Sequence, residues 1–256
     1  MILSQFDSNK TAVIDPSNTI KQVKDFPEVG VACFSRTLFA QLIAGFDHRI
    51  VFQTYTANME VPIYEIDYEE KKVAAFMLPV GAPACVAVYE EIIAMGLKKL
   101  VLYGTCGVLD QTIEDCSIII PESAIRDEGT SYHYMPPTDE IAVNLNYKED
   151  FIHLLKEHGF SYTLGKTWTT DGFYRETRAK LEQRKKIGCI CVEMECASMA
   201  AVSQFRNTQL FQFFYAADNL DTECWDQRSL AEHANLSEKE KANVLALELA
   251  AIMKQK

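Results

Sequence analysis

The sequence predicts a single α/β domain, residues 1–256, with a mixed central β-sheet flanked by helices. Three observations predict it. Short apolar runs of strand length alternate along the chain with segments of helical periodicity. No Pro-, Ser- or Gly-rich linker interrupts that alternation, and no internal repeat divides it. The 256 residues, 48% hydrophobic and 24% charged, suit one large core.

The elements follow in order. Residues 28–34 (EVGVACF) read as a short buried strand. Residues 36–46 read as a helix whose apolar face carries Leu38, Phe39, Leu42, Ile43 and Phe46. Segments 49–58 and 61–78 are extended, the second turning back at 69–72. Pro83 opens a helix that runs to Met95 and closes at Gly96. Proline suits a first turn, where its missing N–H costs nothing, and glycine suits the position just past the end. Residues 99–103 make a brief strand leading into Gly104-Thr105-Cys106-Gly107.

Strands at 117–124 and 161–168 flank a helix at 148–158 capped by Gly159. Residues 175–186 form a highly charged, mostly exposed helix, with Glu176/Lys180 and Glu182/Lys186 spaced to pair across one turn. A buried strand at 187–192 runs into a helix from Glu195 to Phe205, and the apolar strand 210–217 ends at Asp218. Ser237 and Glu240 form a capping box for the final helix, which continues through Met253.

A net charge of −11 without any Lys/Arg block argues against a nucleic-acid partner, which would call for a basic stripe. No run approaches the roughly 20 apolar residues of a membrane span. The opening MILSQFDSNK lacks the basic and apolar blocks of a signal peptide, so a cytoplasmic chain is expected. The eight cysteines form no CxxC pair and the five histidines no HxxxH pattern. No metal site is expected, and the thiols read as small hydrophobes in a reducing compartment.

Polar residues gather where strands end, the place where open α/β sheets hold ligands. Arg36 follows Ser35 at a helix start. A cation there opposes the helix dipole by about 0.3–1 kcal/mol unless an anion lies between them, so Arg36 is either a phosphate ligand or an exposed arginine. In Gly104-Thr105-Cys106-Gly107 the glycines allow backbone N–H groups close to an anion and Thr105 adds a hydroxyl; a tight structural turn is the alternative. Glu193 and Glu195 share one face at the end of a buried strand, with Met194 opposite. Buried carboxylates need partners, and either a ribose diol or a neighbouring Lys or Arg would serve. Asp218, closing LFQFFYAAD, makes the same demand.

VEMECASMAAVSQF (192–205) resembles the VEME signature of bacterial nucleoside phosphorylases. VGAPAC (80–85), YGTCGVL (103–109), AIRDEGTSYHY (124–134), TTDGFYRET (169–177) and AADNL (216–220) stand in that family's order. The resemblance implies a nucleoside phosphorylase-like fold and a set of roles. Glu195 would hold the ribose 2′- and 3′-hydroxyls, Met194 would pack on the sugar, and Glu193 would line the same pocket. Phe173 would stack on the base, Asp218 would protonate a purine at N7, and Thr105 and Arg36 would hold phosphate, with Thr105 also lining the substrate site.

The family's phosphate loop reads GDPxR, whereas Ala32-Cys33-Phe34-Ser35-Arg36 keeps only the arginine. Leu102 stands where a second family arginine precedes the Gly-Thr turn, and Arg49 is the candidate for a third. The implied activity is that of a pentosyltransferase. It cleaves the N-glycosidic bond of a purine nucleoside or uridine by phosphorolysis, to free base and (deoxy)ribose 1-phosphate. Inorganic phosphate is the co-substrate, no other cofactor is expected, and the chain is expected to form a homo-oligomer, from dimer to hexamer. A hydrolytic nucleosidase, or a nucleoside-binding homologue without turnover, is the alternative.

Overall fold

The computed structural model describes residues 2–231 and 234–255. Its elements are α1 (Pro16–Thr19), β1 (Val29–Cys33), α2 (Arg36–Ala44), β2 (His48–Tyr55), β3 (Glu60–Tyr68), β4 (Lys71–Met77), α3 (Ala82–Met95), β5 (Lys99–Val108) and β6 (Ile118–Asp127). They continue with β7 (Glu140–Ala142), α4 (Lys148–Glu157), β8 (Tyr162–Thr170), α5 (Arg178–Lys186), β9 (Cys189–Glu193), α6 (Cys196–Arg206), β10 (Gln209–Asn219) and α7 (Leu236–Gln255).

The ten strands join one mixed sheet in the order β10-β6-β8-β9-β5-β1-β4-β3-β2, with β7 on β6. A further pairing of β10 with β5 closes β5, β10, β6, β8 and β9 into a ring, so this half of the sheet curls as a barrel does. Strand alternation sends Val101 and Tyr103 of β5 into the apolar cluster shared with α2, α4 and α7. Leu100 and Leu102 go to the opposite cluster, under α3 and α6. Each such large side chain stabilises the fold by about 1.5–3 kcal/mol when fully buried. The mixed sheet flanked by helices is therefore the architecture observed, and among the described residues no helix is long and apolar enough to cross a membrane.

Four local expectations need correction. The strand expected at 99–103 does not turn at Gly104-Thr105-Cys106-Gly107; it continues to Val108, paired with β10 throughout. Glycine at 107 leaves room for its neighbours, because a Cβ there would lie 2.5 Å from Leu220 Cδ1 and 3.1 Å from Asp218 Oδ1 and displace those side chains.

The charged helix begins at Arg178, capped by Thr177, after a 3₁₀ turn at Phe173–Arg175. No ion pair joins Glu176 to Lys180, or Glu182 to Lys186, among the described residues. Lys180 and Arg184 reach instead to Asp127, at 3.3 and 3.1 Å, over the Trp168 ring. Asp127 is the partner they share, already fixed by the Trp168 Nε1–H at 3.0 Å.

The final helix starts at Leu236, so Ser237 lies inside its first turn and is not the cap, and Glu240 accepts from Gln41 Nε2. The short β7 and the 3₁₀ turn Thr130–His133 carry no periodicity that predicts them.

Candidate active site

Glu193 ends β9, and its carboxylate is spent on the protein itself. One oxygen accepts from Thr169 Oγ1 at 2.6 Å and Thr167 Oγ1 at 3.2 Å. The other accepts from the backbone N–H groups of Glu195 and Cys196 at 2.8 and 2.6 Å, the exposed donors of the first turn of α6. Burial pushes this carboxyl up to about 7, with the hydroxyl and backbone donors pulling the other way.

Glu195 is placed differently. It is 6% exposed, and its carboxylate accepts from the Gly81 N–H at 2.5 Å. No Lys, Arg or hydroxyl among the described residues pairs with it. Burial first, and then the charge of Glu193, push it up to about 8. Gly81 caps α3 with φ +98°, a conformation that excludes other L-residues and turns its N–H toward Glu195. Met194 stands between the two glutamates, half-buried.

A second group gathers around a cavity of about 540 Å³, lined by Phe173, Tyr174, Glu176, Arg178, Asp218 and Trp225 with Leu181, Leu220 and Leu230. Phe173, 49% exposed, packs on Tyr174 with ring centroids 3.9 Å apart. Asp218 sits one residue before the end of β10, and its Oδ2 accepts from Trp225 Nε1 at 2.8 Å. Burial raises its carboxyl above the ordinary range. The register sets Gly107 of β5 against both Val192 and Asp218, so one residue aligns the VEME segment with the end of β10.

A sequence model of the phosphorylase superfamily matches residues 28–254. The chain belongs to this superfamily of nucleoside phosphorylases. It is 28% identical over 156 residues to a DeoD-type purine nucleoside phosphorylase of Buchnera aphidicola, a match covering 60% of this chain and 66% of the relative, just short of two thirds of its length. It is 21% identical over 187 residues to a guanosine phosphorylase of Halorubrum lacusprofundi, covering 73% and 77%. Among solved structures it resembles uridine phosphorylase from Vibrio fischeri (TM-score 0.78, 19% identity, 92% and 98% covered). It also resembles purine nucleoside phosphorylase from Toxoplasma gondii (0.76, 17%, 91% and 94%). At these identities the structural likeness is one of fold.

In this nucleoside phosphorylase relative the expected phosphate ligands follow paired positions of two neighbouring strands. β1 runs parallel to β5 with Cys33 opposite Tyr103, so Ser35-Arg36 and Thr105 follow just beyond that pair. Ser35 caps α2 through its Oγ, which accepts from the Leu38 N–H at 3.3 Å. Arg36 occupies the first turn, exposed and without an ion pair among the described residues, and Thr105 is exposed in mid-strand. Arg49 is held on the β2–β3 hairpin by Glu65, both contacts at 2.9 Å. Leu102 is fully buried in the apolar cluster with Ala32, Val86 and Met199. Restoring the family's charge by Leu102→Arg would bury an unpaired guanidinium. The expected loss is about 3 kcal/mol or more, on the order of 10 °C in Tm by thermal scanning, with no gain in phosphate affinity. A variant as stable as the wild type would show that the new side chain escapes the core.

Five contributors escape a reading of the sequence. The alternate threonines 167 and 169 face Glu193 from β8, a pattern of period two that hydrophobic periodicity does not weigh. Gly81 hides within VGAPAC, and Trp225 lies in a loop without pattern. Glu176 counts as a surface helix residue until the helix is seen to start after it. Among the described residues no group of three or more His, Cys, Asp or Glu side chains is arranged to hold a metal ion. All eight cysteines are free; Cys224 is exposed, Cys116 half-buried and the rest buried.

Proposed function

We propose that this protein cleaves a purine nucleoside or uridine by phosphorolysis, releasing the free base and (deoxy)ribose 1-phosphate. Glu195 carries the reading. A buried carboxyl held only by backbone N–H donors, with no cation, is an incomplete hydrogen-bonding site, and a vicinal diol completes it by donating both hydroxyls to one carboxylate. Glu193 acts by fixing the first turn of α6, and so the backbone on which Glu195 stands. Phe173 offers a face for the base, and Asp218 offers an acid beside it.

The chemistry follows from where charge develops. As the glycosidic bond breaks, the sugar gains oxocarbenium character and the base gains negative charge. Phosphate on the opposite face supplies the nucleophile and a compensating charge, while Asp218 delivers a proton to the leaving base. Arg36 and Thr105 are the proposed anion ligands, and the α2 N–H groups add to them. On this reading the protein is a homo-oligomer that needs phosphate and no other cofactor.

The test is a nucleoside panel assayed with and without phosphate, with both products identified. Phosphate-dependent base release with ribose 1-phosphate supports the reading. Equal turnover without phosphate, yielding free ribose, replaces it with hydrolysis, the alternative that the buried Leu102 favours. Arg36→Ala is expected to raise the phosphate KM about 10-fold or more, the worth of one charge-assisted contact, with Tm unchanged. A phosphate KM that does not move removes Arg36 from the site.

A further inference from the structure

The N–H groups of a helix's first turn need acceptors, and the side chain of the residue just before the helix is the usual supplier. Glu195 holds that position on α6, yet its side chain makes no capping hydrogen bond and turns to Gly81 instead. The acceptors come from two neighbouring strands. Glu193 on β9 takes the N–H groups of Glu195 and Cys196, and Thr169 on β8 takes that of Ala197 through its Oγ1 at 3.0 Å. The same hydroxyl donates to Glu193 Oε1 at 2.6 Å, which leaves its lone pairs for Ala197. Thr169 is fully buried, and the parallel register sets it opposite Glu193.

We propose that Thr169 is a positioning residue: by capping α6 from the adjacent strand, it keeps the Glu195 carboxyl free for the sugar diol. This rests on the proposed sugar site. Ala197 stands second in the helix, where its N–H is a donor that the residue before the helix ordinarily takes. Without the Thr169 hydroxyl that donor is buried and unmet. A carboxylate within reach is drawn to it by the hydrogen bond and by the helix dipole together.

Glu195 is the carboxylate that would answer. Glu193 is saturated by two hydroxyls and two N–H groups, whereas Glu195 is held by backbone donors alone. Its side chain then folds back onto its own helix and leaves the sugar. Thr167 does not share this duty, since its hydroxyl donates to Glu193 and pairs with no α6 donor among the described residues.

The experiment compares Thr169→Val, which removes the hydroxyl at nearly constant shape, with Thr169→Ser, which keeps it. A ribonucleoside and its 2′-deoxy counterpart are measured by kcat/KM with phosphate and by calorimetric binding without it. Wild type is expected to favour the ribonucleoside about 10-fold or more, the weight of a hydrogen bond to a charged group. Thr169→Val should bring that ratio close to one, and Thr169→Ser should preserve it. Equal losses on both sugars would mark a merely structural threonine and overturn the proposal. A second arm reads the helix itself, without nucleoside. On the Thr169→Val background, Glu195→Ala should lower Tm by about 2–4 °C more than it does on wild type, the size of one helix cap. Absence of that difference also overturns the proposal. A wild type that treats both sugars alike, with the Tm difference present, would retain Thr169 as the cap and overturn the sugar reading alone.

Discussion

Asp218→Asn is expected to lower kcat/KM for purine nucleosides by about 10²- to 10⁴-fold, the usual contribution of a general acid. Uridine cleavage should fall far less. A purine leaves readily once N7 carries a proton, whereas uracil can leave as an anion stabilised by hydrogen bonds. The substitution leaves the architecture in place, since the amide oxygen of asparagine can still accept from Trp225 Nε1. The pH profile supplies a second readout. Burial holds the Asp218 carboxyl above its ordinary range, which keeps the acid form available at higher pH. Purine cleavage should decline as pH rises through that raised pKa, and the decline should vanish in the variant. Equal losses on purine nucleosides and uridine would show that Asp218 serves only to position Trp225.

Glu195→Ala is expected to cost about 10- to 200-fold in kcat/KM for ribonucleosides, the loss of charged hydrogen bonds to substrate, while the fold persists. Unchanged kinetics would take the residue out of the site. Stability gives an independent signature. The folded pKa of about 8 lies above the ordinary glutamate value of 4.5. The proton-linked stability is therefore fully present below about pH 4.5 and is lost as pH rises through about 8. Alanine has no such loss. The Tm difference between the two proteins should move in the variant's favour across that window, measured in the absence of nucleoside. Above that window the wild-type site thus carries an electrostatic penalty that the variant lacks.

Much of the fold is legible in the sequence because apolar period and chain punctuation agree. The runs at 28–34, 187–192 and 210–217 become β1, β9 and β10, each within a few residues of its expected ends. Failures occur where tertiary contacts overrule local signals. Gly104 and Gly107 read as a turn by composition, yet both lie inside β5, where the side chains of Phe34, and of Leu220 and Asp218, fill the space a Cβ would take. β7 is three residues long and exists through its partner β6.

At the candidate site, the carboxyls at 193, 195 and 218 are conspicuous in sequence because acids at the ends of apolar strands are costly without partners. Their division of labour is not. Only the three-dimensional structure reveals that Glu193 is saturated by Thr167, Thr169 and two backbone N–H groups while Glu195 has backbone donors alone. Glu176 and Trp225 are invisible for the opposite reason. They belong to loops, and no repeat of two or of 3.6 residues marks a loop side chain that turns inward.

β5 hydrogen-bonds to β1, β9 and β10 at once, and through those neighbours it touches the segments bearing Arg36, Glu193–Glu195 and Asp218. It serves as a common datum from which each is measured. A tilt or slide of this strand carries all of them together, so their mutual spacing survives substitutions elsewhere in the sheet. Phe173 and Glu176 have no such reference, being set by the turn before α5, and Trp225, in the loop after β10, is tied to the datum through Asp218 and the Asn219–Asp226 bridge. On the proposed reading, drift in sequence can retune which base is accepted without retuning the sugar and anion ends. Purine nucleoside and uridine phosphorylases among its structural neighbours share its fold at 17–19% identity to this chain.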